Sequence, residues 1–226
     1  MLARKVKHIF FDLDHTLWDF ERNSEITFQL IFKKHSIPFE IDAFVNVYRP
    51  INLKYWNMYR NNQISSENLR HERLKEVFSI LGYPYDRDLI DLIAEEYINH
   101  LSQQIHLFPY TTAILDYLKD KYELHIITNG FETIQHRKLK SSKIDHYFKT
   151  VTTAEGSGYK KPDFRIFDYA LNAAQADKTE SVMIGDSLEA DIQGAKDFGM
   201  HAVYFGKSSN FGITTIDCLT GLKKLL

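Results

Sequence analysis

The sequence predicts an α/β fold, with a Rossmann-like parallel-sheet core interrupted by an all-helical cap. Three observations predict it. Short apolar runs alternate with helical patterns along most of the chain. A long block without strand character separates the first run from the second. Three of the runs end directly in polar residues suited to phosphate chemistry.

Four runs read as buried parallel strands: Val6–Phe11, Leu124–Thr128, Val182–Ile184 and Ala202–Phe205. Each is short, rich in β-branched or aromatic residues, and closed by polar or glycine residues. Thr150–Thr153 is a weaker fifth strand. Between them, Thr111–Lys119 reads as a helix. Phe167, Ala170, Leu171 and Ala174 form the apolar stripe of another. A third helix runs from about Glu189 to Phe198 and stops at Gly199, placed as a C-terminal capping glycine. Strands alternating with helices imply a parallel sheet covered on both faces.

The block from about Phe20 to Gln104 differs. Leu69, Leu74, Val77, Phe78 and Leu81 form one helical stripe, closed by Gly82. Leu89, Leu92, Ile93, Tyr97 and Leu101 form another. Residues 1–17 and 106–226 are therefore assigned to the core and 18–105 to an inserted helical cap. A chain of 226 residues suits one core with a modest insertion.

Bulk properties exclude several classes. Hydrophobic residues make up 44% and charged residues 26%, an ordinary globular balance. A net charge of -2 gives no basic excess for nucleic-acid binding. The single cysteine, Cys218, excludes an internal disulfide and a multi-cysteine zinc site, and reads as a packing residue. The ten histidines are scattered without metal-ligand spacing. Arg4, Lys5 and Lys7 precede an apolar run too short for an export signal, and no stretch is long enough to span a membrane. The expectation is a cytoplasmic protein, monomeric or homodimeric, with neither nucleic-acid nor membrane partners.

Four segments carry chemistry. Asp12-Leu13-Asp14-His15-Thr16 follows the first strand immediately, and ligands of open α/β sheets bind outside the carboxyl ends of strands. The period-two strand points Asp12 and Asp14 to one side. Two such carboxylates ionise together only with a cation, or else one keeps a proton. One can attack phosphorus while its neighbour relays protons; the plainer alternative is a turn or helix cap. Thr128-Asn129-Gly130 follows the second strand, offering a hydroxyl and backbone N–H groups to phosphate, or an ordinary turn. Lys160-Lys161-Pro162-Asp163 offers a cation, with Pro162 placed at a helix start, or a solvated lysine pair. Gly185-Asp186-Ser187 follows another strand. Asp186 there completes an oxygen set suited to Mg²⁺ or caps the next helix. Asp191, about one turn on, is placed to orient Lys161 or a metal-bound water. The conjunction of all four at strand ends points to phosphoryl transfer.

These residues resemble the haloacid dehalogenase-like (HAD) hydrolase superfamily over nearly the whole chain. Asp12-Leu13-Asp14-His15-Thr16-Leu17 is similar to its first motif and Thr128-Asn129 to its second. Lys161-Pro162 is similar to the third, and Gly185-Asp186-Ser187 through Asp191 to the fourth. The helical block resembles the cap of subfamily I members. The resemblance implies the HAD fold and a Mg²⁺-dependent phosphatase with an aspartyl-phosphate intermediate. Asp12 would be nucleophile and metal ligand. Asp14 would be the acid/base and bind metal through its carbonyl. Thr128, Asn129 and Lys161 would hold the phosphoryl group, Lys161 would balance charge, and Asp186 would bind Mg²⁺. Lys160 looks like the variable neighbour.

Trp18-Asp19-Phe20 resembles the YjjG/YfnB-type branch. That implies a 5′-nucleotidase acting on (d)UMP- or dTMP-type pyrimidine nucleoside monophosphates. Trp18 and Phe20 either pack the cap hinge or shape a slot for a base. Tyr55, Trp56, Tyr59 and Arg60 either face substrate or pack the cap. Two departures stand out. Phe164 replaces a second proline after Lys-Pro-Asp, and Pro109-Tyr110-Thr111 lacks the glycine many relatives place after proline. A sugar-phosphate or phosphoglycolate phosphatase is the rival within the fold, and a non-catalytic binding or regulatory protein the rival outside it.

Overall fold

The computed structural model describes residues 5–207 and 212–226, so Arg4 lies outside the described residues. The chain forms two compact units. One comprises the chain up to Phe20 and from Ile105 onward; the other is Glu21–Gln104.

The first unit is built on a six-stranded parallel sheet. Its strands are β1 (His8–Phe11), β2 (Glu123–Thr128), β3 (Phe148–Thr153), β4 (Ser181–Gly185), β5 (His201–Phe205) and β6 (Thr215–Ile216), in the order β3-β2-β1-β4-β5-β6. The five strands read from sequence are present, each with its boundary shifted by two residues at most. The two-residue β6 is too short to leave a pattern. Ile9, Phe10 and Phe11 are fully buried, as expected of a central strand covered on both faces. The chain runs outward from β1 through β2 to β3, then returns to the other side of β1 for β4. The carboxyl ends of β1 and β4 therefore flank a topological switch point, where open sheets bind ligands.

Helix α5 (Thr111–Lys119) packs on the sheet within the residues read from sequence. Helix α8 (Phe164–Ala174) buries Ile166, Phe167, Ala170 and Leu171 against Phe10, Ile127 and Met183. Pro162 does not begin this helix. Asp163 caps it, accepting the Arg165 N–H at 2.9 Å, so Phe164 is the first helical residue and stands exposed. The helix expected over 189–198 is divided. Leu188–Gln193 is a π-helical turn, in which the Ile192 N–H reaches the Ser187 carbonyl, and Gly194–Phe198 (α9) continues as α-helix. Gly199 ends it in the left-handed conformation, φ 101°. Tyr110, in the hinge that lacks glycine, takes the same region at φ 68° and precedes α5. A side chain there is strained by its Cβ.

The second unit consists of α1 (Phe20–Lys34, entering from the first unit), α2 (Ile41–Arg60), α3 (Ser66–Ile80) and α4 (Arg87–Leu101). Ser65 and Asp86 cap α3 and α4 with their side-chain oxygens. The core of this unit is aromatic. Phe28 lies 4.5 to 5.6 Å, between ring centroids, from Phe32, Phe44, Tyr48 and Tyr97. The α3 stripe buries Leu69, Leu74, Val77 and Phe78, and Gly82 takes φ 65° just beyond. The α4 stripe is rotated from the expected one: Ile90 and Ala94 are buried, whereas Leu92 is exposed. Consecutive apolar residues at 89, 90, 92 and 93 leave the face open until packing selects it. Buried Arg73 had no signal in the sequence. Its Nη1 donates to Asn52 Oδ1 at 2.6 Å and its guanidinium lies over the Tyr48 and Tyr97 rings. Among the described residues, no helix is long and apolar enough to cross a membrane.

Three stability measurements test this packing. Phe28→Ala is expected to cost about 3–5 kcal/mol by urea unfolding, because it empties the centre of a rigid aromatic cluster. Tyr110→Gly is expected to raise stability by up to about 1 kcal/mol in the same assay, by relieving the left-handed backbone. His125, fully buried on β2, has its pKa pushed down to about 4, by burial first and then by His8 and Lys149. The folded chain thus refuses a proton that the unfolded chain accepts near pH 6.5. The His125 contribution is complete above that pH and drains away as pH falls toward 4. It amounts to about 3 kcal/mol. It is read as the difference in urea midpoint between the parent and His125→Gln across that range, with a chelator present.

Candidate active site

The site assembles at the carboxyl ends of β1, β2 and β4. Asp12 follows β1, and its N–H donates to the Ile184 carbonyl at 2.9 Å, extending the ladder by one residue. Asp12 is 7% exposed. Lys161, 2% exposed, reaches it from the segment before α8. The Lys161 ammonium donates to Asp12 Oδ1 at 2.6 Å, to Asp191 Oδ1 at 2.6 Å and to the Ile127 carbonyl at 2.7 Å. Three acceptors satisfy its three protons.

Asp191 is held from its other side. Its Oδ2 accepts the Ser187 N–H at 2.9 Å. The π-helical turn is what carries Asp191 inward, and such turns recur at functional positions. Gly185 makes room for it: a Cβ at 185 would lie 2.2 Å from Asp191 Oδ2. Asp186 follows β4 and accepts from the Thr16 hydroxyl at 3.3 Å. Oxygens of Asp12, Asp186 and Asp191 lie within 4.8 Å of one another.

This arrangement confines three carboxylates with one lysine. Burial, with Asp191 and Asp186 reinforcing it, drives the Asp12 carboxyl well above the usual range even against Lys161. Burial and the Asp191 charge push Asp186 up to about 6. Burial alone would lower Lys161, but Asp12 and Asp191 outweigh it and leave its pKa raised, so it stays an ammonium. The excess negative charge is what a divalent cation would neutralise. An all-oxygen donor set suits Mg²⁺.

Asp14 sits apart from that cluster. Its Oδ1 accepts from the Lys138 ammonium at 2.6 Å and its Oδ2 from Gln135 Nε2 at 3.0 Å. Both partners come from α6 (Glu132–Ser141), and both are buried. Lys138 also lies over the Trp18 ring, 4.3 Å from its centroid. Trp18 is fully buried, and its indole N–H donates to Ser142 Oγ at 3.1 Å. Trp18 and Phe20 therefore pack the base of the site rather than present an open face. The turn after Asp14 places His15 at φ 63°.

Thr128 ends β2, and its hydroxyl accepts from Gln135 Nε2 at 2.7 Å and the Gly130 N–H at 3.1 Å. Asn129 acts on Lys161 through the backbone. Its Oδ1 accepts the Lys161 N–H at 2.7 Å and its Nδ2 donates to the Lys161 carbonyl at 3.0 Å. The structure thus brings Asp12, Lys161, Asp186 and Asp191 together, with Asn129 clamping the lysine. Gln135 and Lys138 escape sequence reading because their charge and amide look like any exposed helix face. In the helical unit, Tyr55 donates to Glu76 at 3.0 Å, burial and Glu76 pushing its pKa up to about 12. Arg60 donates to Asn57, and Trp56 meets Tyr59 edge-on.

A fully parallel sheet carrying acidic residues and a buried lysine at its carboxyl edge is the framework of a phosphate-ester hydrolase. The chain belongs to the haloacid dehalogenase-like hydrolase family, whose model matches residues 9–205. It is 31% identical to pyrimidine 5′-nucleotidase PynA of Streptococcus pneumoniae, over 88% of this chain and 83% of that one. It is 31% identical to pyrimidine 5′-nucleotidase YjjG of Escherichia coli, over 85% and 82%. A glyceraldehyde 3-phosphate phosphatase of Methanothermobacter thermautotrophicus is 30% identical over 98% and 100%. The magnesium-bound crystal structure of the HAD-hydrolase YfnB from Bacillus subtilis superposes with a TM-score of 0.89 at 24% identity, covering 98% of each chain.

Lys161→Met is expected to destabilise the chain by about 3–5 kcal/mol at pH 7, since it strands Asp12 and Asp191 as buried, uncompensated carboxylates. The loss should shrink toward pH 5, because Asp12, whose carboxyl is already raised by burial, takes up a proton more readily as the pH falls. Urea midpoints at the two pH values measure it.

Proposed function

We propose that this chain is a Mg²⁺-dependent phosphatase. It hydrolyses phosphate monoesters through an aspartyl-phosphate on Asp12 and acts as a 5′-nucleotidase on (d)UMP- and dTMP-type pyrimidine nucleoside monophosphates. The observation that carries the reading is the buried Asp12–Lys161–Asp191 arrangement, with Asp186 beside it, at the sheet's carboxyl edge.

Asp12 and Asp186 would hold the ion, with the Asp14 carbonyl as a further ligand. When bound, Mg²⁺ offsets the charge of the carboxylates and of an incoming phosphate. Lys161 fixes Asp12 through Oδ1 and adds positive charge against the phosphoryl oxygens. Asp12 attacks phosphorus in line with the leaving oxygen, forming the acyl-phosphate bond as the ester P–O bond breaks. Asp14 gives its proton to the departing alkoxide. It then takes a proton from the water that attacks phosphorus and releases Asp12 and inorganic phosphate. Thr128 and the Asn129 backbone hold the phosphoryl oxygens. Lys138 and Gln135 are positioning residues that fix the Asp14 carboxylate.

The nucleotide preference rests on the two pyrimidine 5′-nucleotidase relatives together with Trp18-Asp19-Phe20. A sugar-phosphate reading has its own support in the glyceraldehyde 3-phosphate phosphatase relative. The helical unit, Glu21–Gln104, would supply substrate selection as the cap.

Phosphate release with Mg²⁺ across UMP, dUMP, dTMP and a set of sugar phosphates separates these readings. Preference for the pyrimidine nucleotides supports the proposal, and equal or faster turnover of glyceraldehyde 3-phosphate overturns the substrate assignment. Asp12→Asn is expected to lower kcat by at least about 10³-fold; parental turnover by that variant removes the mechanism. Lys138→Met is expected to lower kcat about 10- to 100-fold with KM little changed, because a misaimed acid fails at the transition state. A change confined to KM would contradict its positioning role.

A further inference from the structure

We propose that His8, Glu123 and His125 form a binding site for a divalent transition-metal ion, Zn²⁺ foremost, at the amino-terminal end of the sheet. The parallel register sets His8 of β1 directly beside Glu123 of β2. His125, two residues further along β2, falls on the same face as Glu123. His8 Nδ1 lies 3.3 Å from His125 Nε2 and 3.7 Å from Glu123 Oε2. One donor atom from each of the three residues falls within 4.8 Å of the others.

The spacing fits tetrahedral zinc. Two imidazole nitrogens bound at roughly 2.0–2.1 Å with tetrahedral angles stand about 3.3–3.4 Å apart. A lone hydrogen bond between the two rings could give the same distance, but it would not require a carboxylate converging on the same point. The outer shell is also in place. His125 Nδ1 lies 2.9 Å from Thr150 Oγ1 on β3. With the proton on Nδ1 and donated to that hydroxyl, the Nε2 lone pair faces His8, the arrangement that orients metal-bound histidines. His8 ligates once its own proton sits on Nε2. Glu123 is about half exposed, giving the ion a path from solvent and leaving a coordination position for water.

This site is separate from the carboxylate cluster. Three residues of β1, Ile9, Phe10 and Phe11, divide His8 from Asp12, about 13 Å of extended chain from one to the other. The two sites also differ in chemistry. Imidazole nitrogens favour Zn²⁺ over Mg²⁺, whereas the all-oxygen cluster does the reverse. The inference stands whether or not the phosphatase reading does.

Calorimetric titration of the full chain with Zn²⁺ in a large excess of Mg²⁺ tests it, with Co²⁺ as a spectroscopic probe. One saturable Zn²⁺ equivalent is expected, with Co²⁺ developing the intense visible bands of four-coordinate cobalt. His8→Asn and Glu123→Ala, both at partly exposed positions, should each weaken Zn²⁺ at least tenfold, while Asp186→Asn should leave its affinity unchanged. His8→Asn should also abolish the Zn²⁺-dependent rise in thermal midpoint. Absence of saturable binding overturns the proposal. So does binding that persists in His8→Asn and Glu123→Ala, or that disappears with Asp186→Asn.

Discussion

One ammonium group organises the carboxyl edge of the sheet. Lys161 donates to Asp12, Asp191 and the Ile127 carbonyl while almost wholly excluded from solvent. Those acceptors belong to the ends of β1 and β2 and to the turn after β4. A buried cation fully hydrogen-bonded to opposite charges is tolerated only where the geometry is fixed. Much of the surrounding structure serves that geometry. Asn129 clamps the lysine backbone from both sides, Gly185 clears space for Asp191, and the π-helical turn delivers Asp191 to the interior.

The same grouping leaves charge unbalanced. Burial, reinforced by the neighbouring carboxylates, raises Asp12 and Asp186 above the ordinary carboxylate range. Low dielectric magnifies each interaction, and the oxygens of Asp12, Asp186 and Asp191 lie close enough together that they could hold a metal ion. Asp14 has partners of its own. It leans on Lys138 and Gln135, and Lys138 in turn rests on the Trp18 ring. Trp18 thereby supports the Asp14 carboxylate through Lys138.

The helical unit solves a different problem. Its helices lack a sheet to bury against, so they converge on a cluster of rings around Phe28. Arg73 enters that cluster because its planar guanidinium stacks on tyrosine faces and bonds Asn52. A lysine there would offer a point charge without the plane.

The sequence by itself determined the parallel sheet, the strandless insertion and the order of the functional segments. These follow from periodicity and from the polar residues that close Val6–Phe11, Leu124–Thr128 and Val182–Ile184, all local properties of the chain. It also marked Asp12, Lys161 and Asp186 as candidates for one site, and the structure groups them at the carboxyl edge of the sheet. Other features were decided only by tertiary structure. Which face of α4 is buried, how the 188–198 segment divides, and why Lys138 pairs with Asp14 depend on neighbours more than a hundred residues away or on packing between helices. The histidines illustrate the limit most clearly. His8 and His125 look unrelated along the chain, and strand register alone sets them 3.3 Å apart. Local pattern fixes what a residue can do, whereas strand pairing and close packing fix what it meets.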